Sequence, residues 1–143
     1  PRWAEDPEPG FVYELSRRLS SQFDIVVVCP GSSGAAQREW MDGLDVRRYR
    51  YAPGRFQTLV NDGGIVTNLK LSPWKWLLVP FFFISGLIAT RTAIKHFKPD
   101  VIHAHWLIPQ GLIITLLSLT TRKQSPFIVT SHGADLHALR FWP

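Results

Sequence analysis

The sequence predicts an α/β fold, a Rossmann-like parallel sheet flanked by helices, and three observations carry that prediction. Short strand-like runs occur at Ile25-Val-Val-Val-Cys29, Val101 to Ala104 and Phe127 to Ser131; the last two are β-branched, and the first is nearly all apolar, the composition of a strand covered on both faces. Stretches of helical periodicity separate them, giving the βα alternation of a parallel sheet. Histidines and glycine close the last two runs, so polar groups gather where buried strands open into loops, the place where open α/β sheets bind ligands.

Along the chain, Val12, Leu15 and Leu19 recur at helical spacing between Phe11 and Gln22, with Glu14, Arg17 and Arg18 elsewhere on the wheel; this is an amphipathic helix. The first strand follows over Asp24 to Cys29 and stops at Pro30-Gly-Ser-Ser-Gly34. That loop lacks the Lys-Ser/Thr ending of a nucleotide-triphosphate loop and reads as a connection. Asp45-Val-Arg-Arg-Tyr-Arg-Tyr51 mixes β-formers with arginine, suiting a short or edge strand. Asn61-Asp-Gly-Gly64 is a turn signal. A helix carrying Leu87, Ile94 and Phe97 should end before Pro99, and another should run from about Pro109 to Leu119.

The chain has 143 residues, 45% of them hydrophobic, enough for one domain's core. Its net charge of +5 favours anionic partners such as phosphates, nucleotides or acidic lipid. Arg47-Arg-Tyr-Arg50 and Arg122-Lys123 lack a surrounding nucleic-acid module and read as solvated faces, so no nucleic-acid partner is expected. The single cysteine, Cys29, reads as a small buried hydrophobe. There is no basic-then-apolar leader, and a cytoplasmic location is the expectation. The opening is a proline- and acid-rich loop where a doubly wound domain would have a strand, which points to a lost first strand.

Pro73-Trp-Lys-Trp-Leu-Leu-Val-Pro-Phe-Phe-Phe-Ile84, continuing to Arg91, joins aromatics to cations. Its length and Pro80 disfavour membrane spanning. Two readings stay open: the aromatics pack into the protein, or the segment from Trp74 to Lys95 lies against an anionic membrane.

The polar strand ends carry the chemistry. Pro99-Asp-Val-Ile-His-Ala-His-Trp-Leu-Ile-Pro-Gln-Gly111 is answered by Pro126-Phe-Ile-Val-Thr-Ser-His-Gly-Ala-Asp135. His103 and His105, two apart on a strand, project to the same side. With His132, they could form a metal site and a metal-dependent hydrolase, a weak signal at this spacing. A non-catalytic membrane- or protein-binding module is the other alternative. His103 reads best as a packed strand histidine, and Asp135 as an orienter of its loop or a cap for a helix beginning at Leu136.

These two segments resemble the N-terminal domain of the retaining glycosyltransferases of family 4, enzymes of the GT-B fold. The resemblance rests on Pro99, Asp100, His103 and His105, then Thr130, His132, Gly133 and Asp135, with Glu8-Pro-Gly-Phe-Val-Tyr-Glu-Leu-Ser-Arg-Arg-Leu19 similar to the family's first helix and its glycine loop. It implies a hexosyltransferase-type enzyme using a nucleotide-diphosphate sugar donor and a glycan or lipid-linked acceptor, with no cofactor and no essential metal. Residues 1–143 would then be a single, incomplete, acceptor-side Rossmann-like domain, with the C-terminal nucleotide-sugar domain absent and the fragment inactive alone. His132 would be catalytic, and Gly10, His105, Gly133 and Asp135 substrate-binding, Gly10 by letting backbone approach a phosphate. Some members dock on membranes through this domain, which extends the location to the inner membrane face.

Overall fold

A computed structural model describes residues 10–61, 63–120, 125–133 and 135. It divides into two compact units, up to Gly86 and from Leu87 onward, each with its own small sheet.

The first unit opens with α1 (Gly10–Leu19), followed by β1 (Ile25–Pro30), β2 (Arg38–Met41) and β3 (Leu44–Tyr49). β3 is central, parallel to β1 with Ile25 opposite Leu44 and antiparallel to β2 with Met41 opposite Leu44. Asp42 and Gly43, at φ 46° and 81°, form the two-residue turn of the β2–β3 hairpin, a conformation that favours Asp-Gly. The expected edge strand is thus an interior one. Its charges are neutralised in place. Asp45, 3% exposed, accepts from Arg38 Nε at 2.8 Å and from Arg47 Nη2 at 2.6 Å, and these guanidiniums, Arg38 foremost, hold its carboxyl below the usual range. Arg48 is buried, not solvated, and donates to Glu39 Oε2 at 2.9 Å and to the Ala36 carbonyl at 3.1 Å. Desolvating a cation is tolerable only with such partners.

Met41, Leu44 and Val46 form a core against which Tyr13, Ile25, Val27 and Cys29 pack. Burial pushes the Cys29 thiol up, as expected of a buried hydrophobe. In α1 it is Tyr13 that reaches this core, whereas Leu15 of the expected stripe is 40% exposed.

A short turn (Gly54–Phe56), α2 (Gly64–Leu71) and a 3₁₀ turn (Pro73–Leu77) lead into α3 (Leu78–Phe97). Phe82, 1% exposed, stands edge-on to Tyr49 and Tyr51 at 5.6 and 5.1 Å between ring centres. The aromatic segment divides: Phe82 belongs to the core, while Trp74, Trp76, Leu77, Phe81, Ile84 and Ile88 are exposed. Lys75 donates inward, to Asn68 Oδ1 and the Thr58 carbonyl, so it is not a free cation of that face. Pro73–Phe97, 25 residues, is long and apolar enough to cross a membrane by length and composition alone. The expected obstacle, Pro80, sits in the first turn of α3, where no helical N–H bond is needed.

In the second unit, β4 (Ile102–His105), an irregular turn (Leu107–Gly111), α4 (Leu112–Thr120) and β5 (Phe127–Thr130) form one βαβ crossover. β4 and β5 are parallel, Ile102 facing Phe127 and His105 facing Thr130. Ile113, Ile114 and Leu117 of α4 are buried, as is Ala104. Gly111 lets the start of α4 close on β5: a Cβ there would lie 2.9 Å from Val129 Cγ1 and 3.2 Å from the Trp106 carbonyl oxygen.

The strands beginning near Ile25, Val101 and Phe127 are expected in one sheet; the last two pair in parallel, but the first pairs with β3 in a separate sheet. In a doubly wound sheet the fold's first strand joins the two wings. Among the described residues no strand pairs with both β1 and β4.

Candidate functional site

The carboxyl ends of β4 and β5 bring together two loops that are 27 residues apart in sequence. His103 and His105 point to the same side of β4, their ring centres 4.2 Å apart. His103 is exposed rather than packed, and its Nε2 lies 2.8 Å from Thr130 Oγ1 on β5. His105 Nδ1 lies 2.9 Å from His132 Nε2, the two rings stacked 18° from parallel. Trp106 lies against both rings, its ring centre 5.0 Å from that of His132 and 6.2 Å from that of His105. Desolvation, with the neighbouring His103 and His132 as lesser causes, pushes His105 down to about 4. At neutral pH it is an uncharged imidazole, so within the pair one of the two facing nitrogens carries the hydrogen and the other accepts.

Backbone geometry holds these rings in place. Trp106 adopts φ 71° and ψ 138°, a region costing a residue with a Cβ about 1–3 kcal/mol. The conformation persists because both neighbours are tied: the Trp106 N–H donates to the Thr130 carbonyl at 2.8 Å, and the Gly111 N–H donates to the Trp106 carbonyl at 3.0 Å. Asp135 completes the frame. Its Oδ2 accepts from the Leu107 N–H at 2.8 Å and its Oδ1 from the His132 N–H at 3.1 Å, so one buried carboxylate clasps the loop after β4 to the loop after β5. Gly133 has φ 72°, the left-handed conformation that glycine adopts without cost. The helix for which Asp135 was an expected cap lies outside the described residues.

Of the sequence-predicted residues, His105, His132, Gly133 and Asp135 thus converge in the second unit. Gly10 belongs to the first unit, as the opening residue of α1, and an added Cβ would meet nothing within 4 Å. Among the described residues no group of three or more His, Cys, Asp or Glu is placed to hold a metal ion. The histidine rings turn their nitrogens toward Thr130 and toward each other.

The family model for Glycosyltransferase Family 4 matches residues 11–143. The chain belongs to glycosyltransferase family 4. No curated protein and no solved structure gives a match beside it. As a glycosyltransferase domain, it acts in the transfer of a sugar between a donor and an acceptor. A family 4 site must steady a sugar as positive charge develops on it and a leaving group as negative charge develops there. His105, uncharged at neutral pH, adds no positive charge to this cluster.

Three contributors to the site owe their part to contacts that the motif pattern does not carry. Leu107 enters only through its backbone N–H, which any residue but proline would supply. Thr130 was visible as a motif residue, but its bond to His103 depends on strand register. Gly111 has a legible signal, a glycine at the mouth of a predicted helix, although its partner Val129 is not legible.

Proposed function

We propose that this chain is the acceptor-side half of a GT-B enzyme that moves a hexose from a nucleotide-diphosphate sugar to a glycan or lipid-linked acceptor with retention at the anomeric carbon. The observation that carries this reading is the convergence of His132, His105 and Trp106 at the carboxyl ends of the parallel pair β4/β5, framed by Asp135. His132 is the catalytic residue of the proposal, set against the donor sugar. Its ring, hydrogen-bonded behind to His105, offers a fixed polar edge and a flat face for a pyranose. Gly10 would admit a phosphate close to the backbone at the start of α1, where helix N–H groups favour anions. His105 and Gly133 border the sugar, and Asp135 contributes through its loop. The location proposed is cytoplasmic.

The exposed residues Leu77, Phe81, Ile84 and Ile88 follow helical spacing and run into Arg91 and Lys95, also exposed. Apolar rings beside cations suit peripheral attachment to an anionic membrane, which would bring the enzyme to a lipid-linked acceptor.

The test uses the protein encoded by the full reading frame, incubated with a panel of uridine, guanosine and adenosine diphosphate sugars and lipid or glycan acceptors. Release of the nucleoside diphosphate measures turnover, and proton NMR of the product's anomeric centre reports retention. The His132→Ala variant should lower kcat by about 100-fold or more while leaving the fold intact. Product with inverted configuration, or near-unchanged turnover in His132→Ala, would overturn the reading.

A further inference from the structure

We infer that His105 is a positioning residue for His132: the ring-to-ring hydrogen bond across the β4/β5 edge fixes the orientation of the His132 imidazole and ties its tautomer to that of His105. The inference rests on the proposed role of His132 and adds to it the group that makes its ring a defined reagent.

A histidine side chain on a loop turns about two torsions, and in water its neutral ring divides between two tautomers. Either freedom would blur a catalytic contact that must be held within a fraction of an ångström. Here the His105 Nδ1 to His132 Nε2 separation of 2.9 Å restricts both. If the facing nitrogen of one ring holds the hydrogen, the other ring must carry its own on the remote nitrogen. The two rings therefore take the same tautomer, both Nδ1–H or both Nε2–H, for as long as the bond persists.

His105 is itself well placed to impose this order rather than receive it. It stands on a strand, in register with Thr130, rather than on a loop. Its ring lies against that of His103, the centres 4.2 Å apart and the planes tilted by 32°, and His103 is in turn anchored by Thr130 Oγ1 at 2.8 Å. Trp106 lies edge-on to it at 6.2 Å. Burial keeps the His105 ring uncharged at neutral pH, so it adds no positive charge against its partner across the bond. The arrangement follows the general logic by which a reacting base is oriented by a third group.

The test separates position from bulk. Asparagine places its amide near where His105 has Nδ1, glutamine near where it has Nε2, and phenylalanine keeps the ring but no nitrogen. The chain has five histidines, so selective ¹⁵N-histidine labelling resolves each ring, and long-range ¹H–¹⁵N spectra report its tautomer. In the unmodified chain His105 and His132 should show the same tautomer, with His132 held away from the mixture of a free imidazole. His105→Asn should preserve it, whereas His105→Gln and His105→Phe should return His132 to the mixture of a free imidazole, with backbone amide spectra elsewhere unchanged. In the full-length enzyme, His105→Gln should lower kcat by about tenfold, the rate equivalent of one neutral hydrogen bond, with KM for the donor little changed and with recovery in His105→Asn. A His132 ring whose tautomer is the same in His105→Gln as in the parent overturns the inference, whatever the activity. An active His132→Ala enzyme would instead overturn the catalytic role, while the NMR result would still stand or fall alone.

Discussion

Replacing Asp135 with alanine should destabilise the second unit by about 2–4 kcal/mol, and the figure follows from what its carboxylate touches. Two backbone N–H groups, those of Leu107 at 2.8 Å and His132 at 3.1 Å, lose their acceptor together. A hydrogen bond to a charged group contributes about 1.5–3 kcal/mol, which sets an upper bound of about 6 kcal/mol for the pair. Both donors belong to half-buried residues, so water can replace part of each bond. Freeing Leu107 also lets Trp106 leave its φ of 71°, returning about 1–3 kcal/mol of backbone strain. The net expectation lies near the middle of the range. Asp135→Asn retains one acceptor oxygen and should lose about half as much. Urea unfolding followed by circular dichroism measures both, with the exposed Asp100→Asn as a control for removing a carboxylate from the same unit, expected within about 0.5 kcal/mol of the parent. An Asp135→Ala variant as stable as that control would refute the clasp.

Gly111→Ala should cost about 1–3 kcal/mol, because its Cβ would stand 2.9 Å from Val129 Cγ1. Adding Val129→Ala should make the double variant less damaged than the sum of the singles, and strict additivity in thermal unfolding would contradict the contact. Since the folded-state value for His105 is lowered to about 4 from 6.5, the unfolded chain binds the extra proton first on acidification. Stability from this group is therefore complete above about pH 6.5 and declines as pH falls toward 4; His105→Phe should flatten that part of the stability profile. At the exposed aromatic face, the Trp74→Ser/Trp76→Ser double variant should reduce co-sedimentation with anionic vesicles. Binding by the parent should weaken with salt, as expected when Arg91 and Lys95 supply the screened attraction. Equal sedimentation of variant and parent would assign these rings a purely structural role.

Much of this architecture is legible in one dimension. The apolar runs at 25–29, 101–104 and 127–131 all appear as strands, shifted by about one residue at their ends. The same-side placement of His103 and His105 follows from the two-residue period of a strand. The Asp42-Gly43 pair is a strong local hairpin signal that the strand reading of Asp45 to Tyr51 passes over; taken with Trp40 and Met41 before it, it identifies β2 and moves β3 to the interior. Arginines in β3 argue locally for exposure, yet Arg48 is buried because Glu39 and the Ala36 carbonyl, supplied by the hairpin partner, receive it.

What the sequence determines by itself is therefore what short-range physics encodes: element type from the period of apolar residues, turns from Asp-Gly and Gly-Gly pairs, and the presence of histidines at strand ends. What only the tertiary structure decides is partnership. That Asp135 meets Leu107, that His105 faces His132, and that Gly111 admits Val129 all depend on the parallel register of β4 and β5. Periodicity assigns a residue to a face of its own element but carries no coordinate for the element across from it. A one-residue slip of either strand would turn its side chain among these, His105 on β4 or Val129 on β5, to the opposite face. The site exists because the parallel pairing of β4 and β5 holds one register out of those the local signals allow.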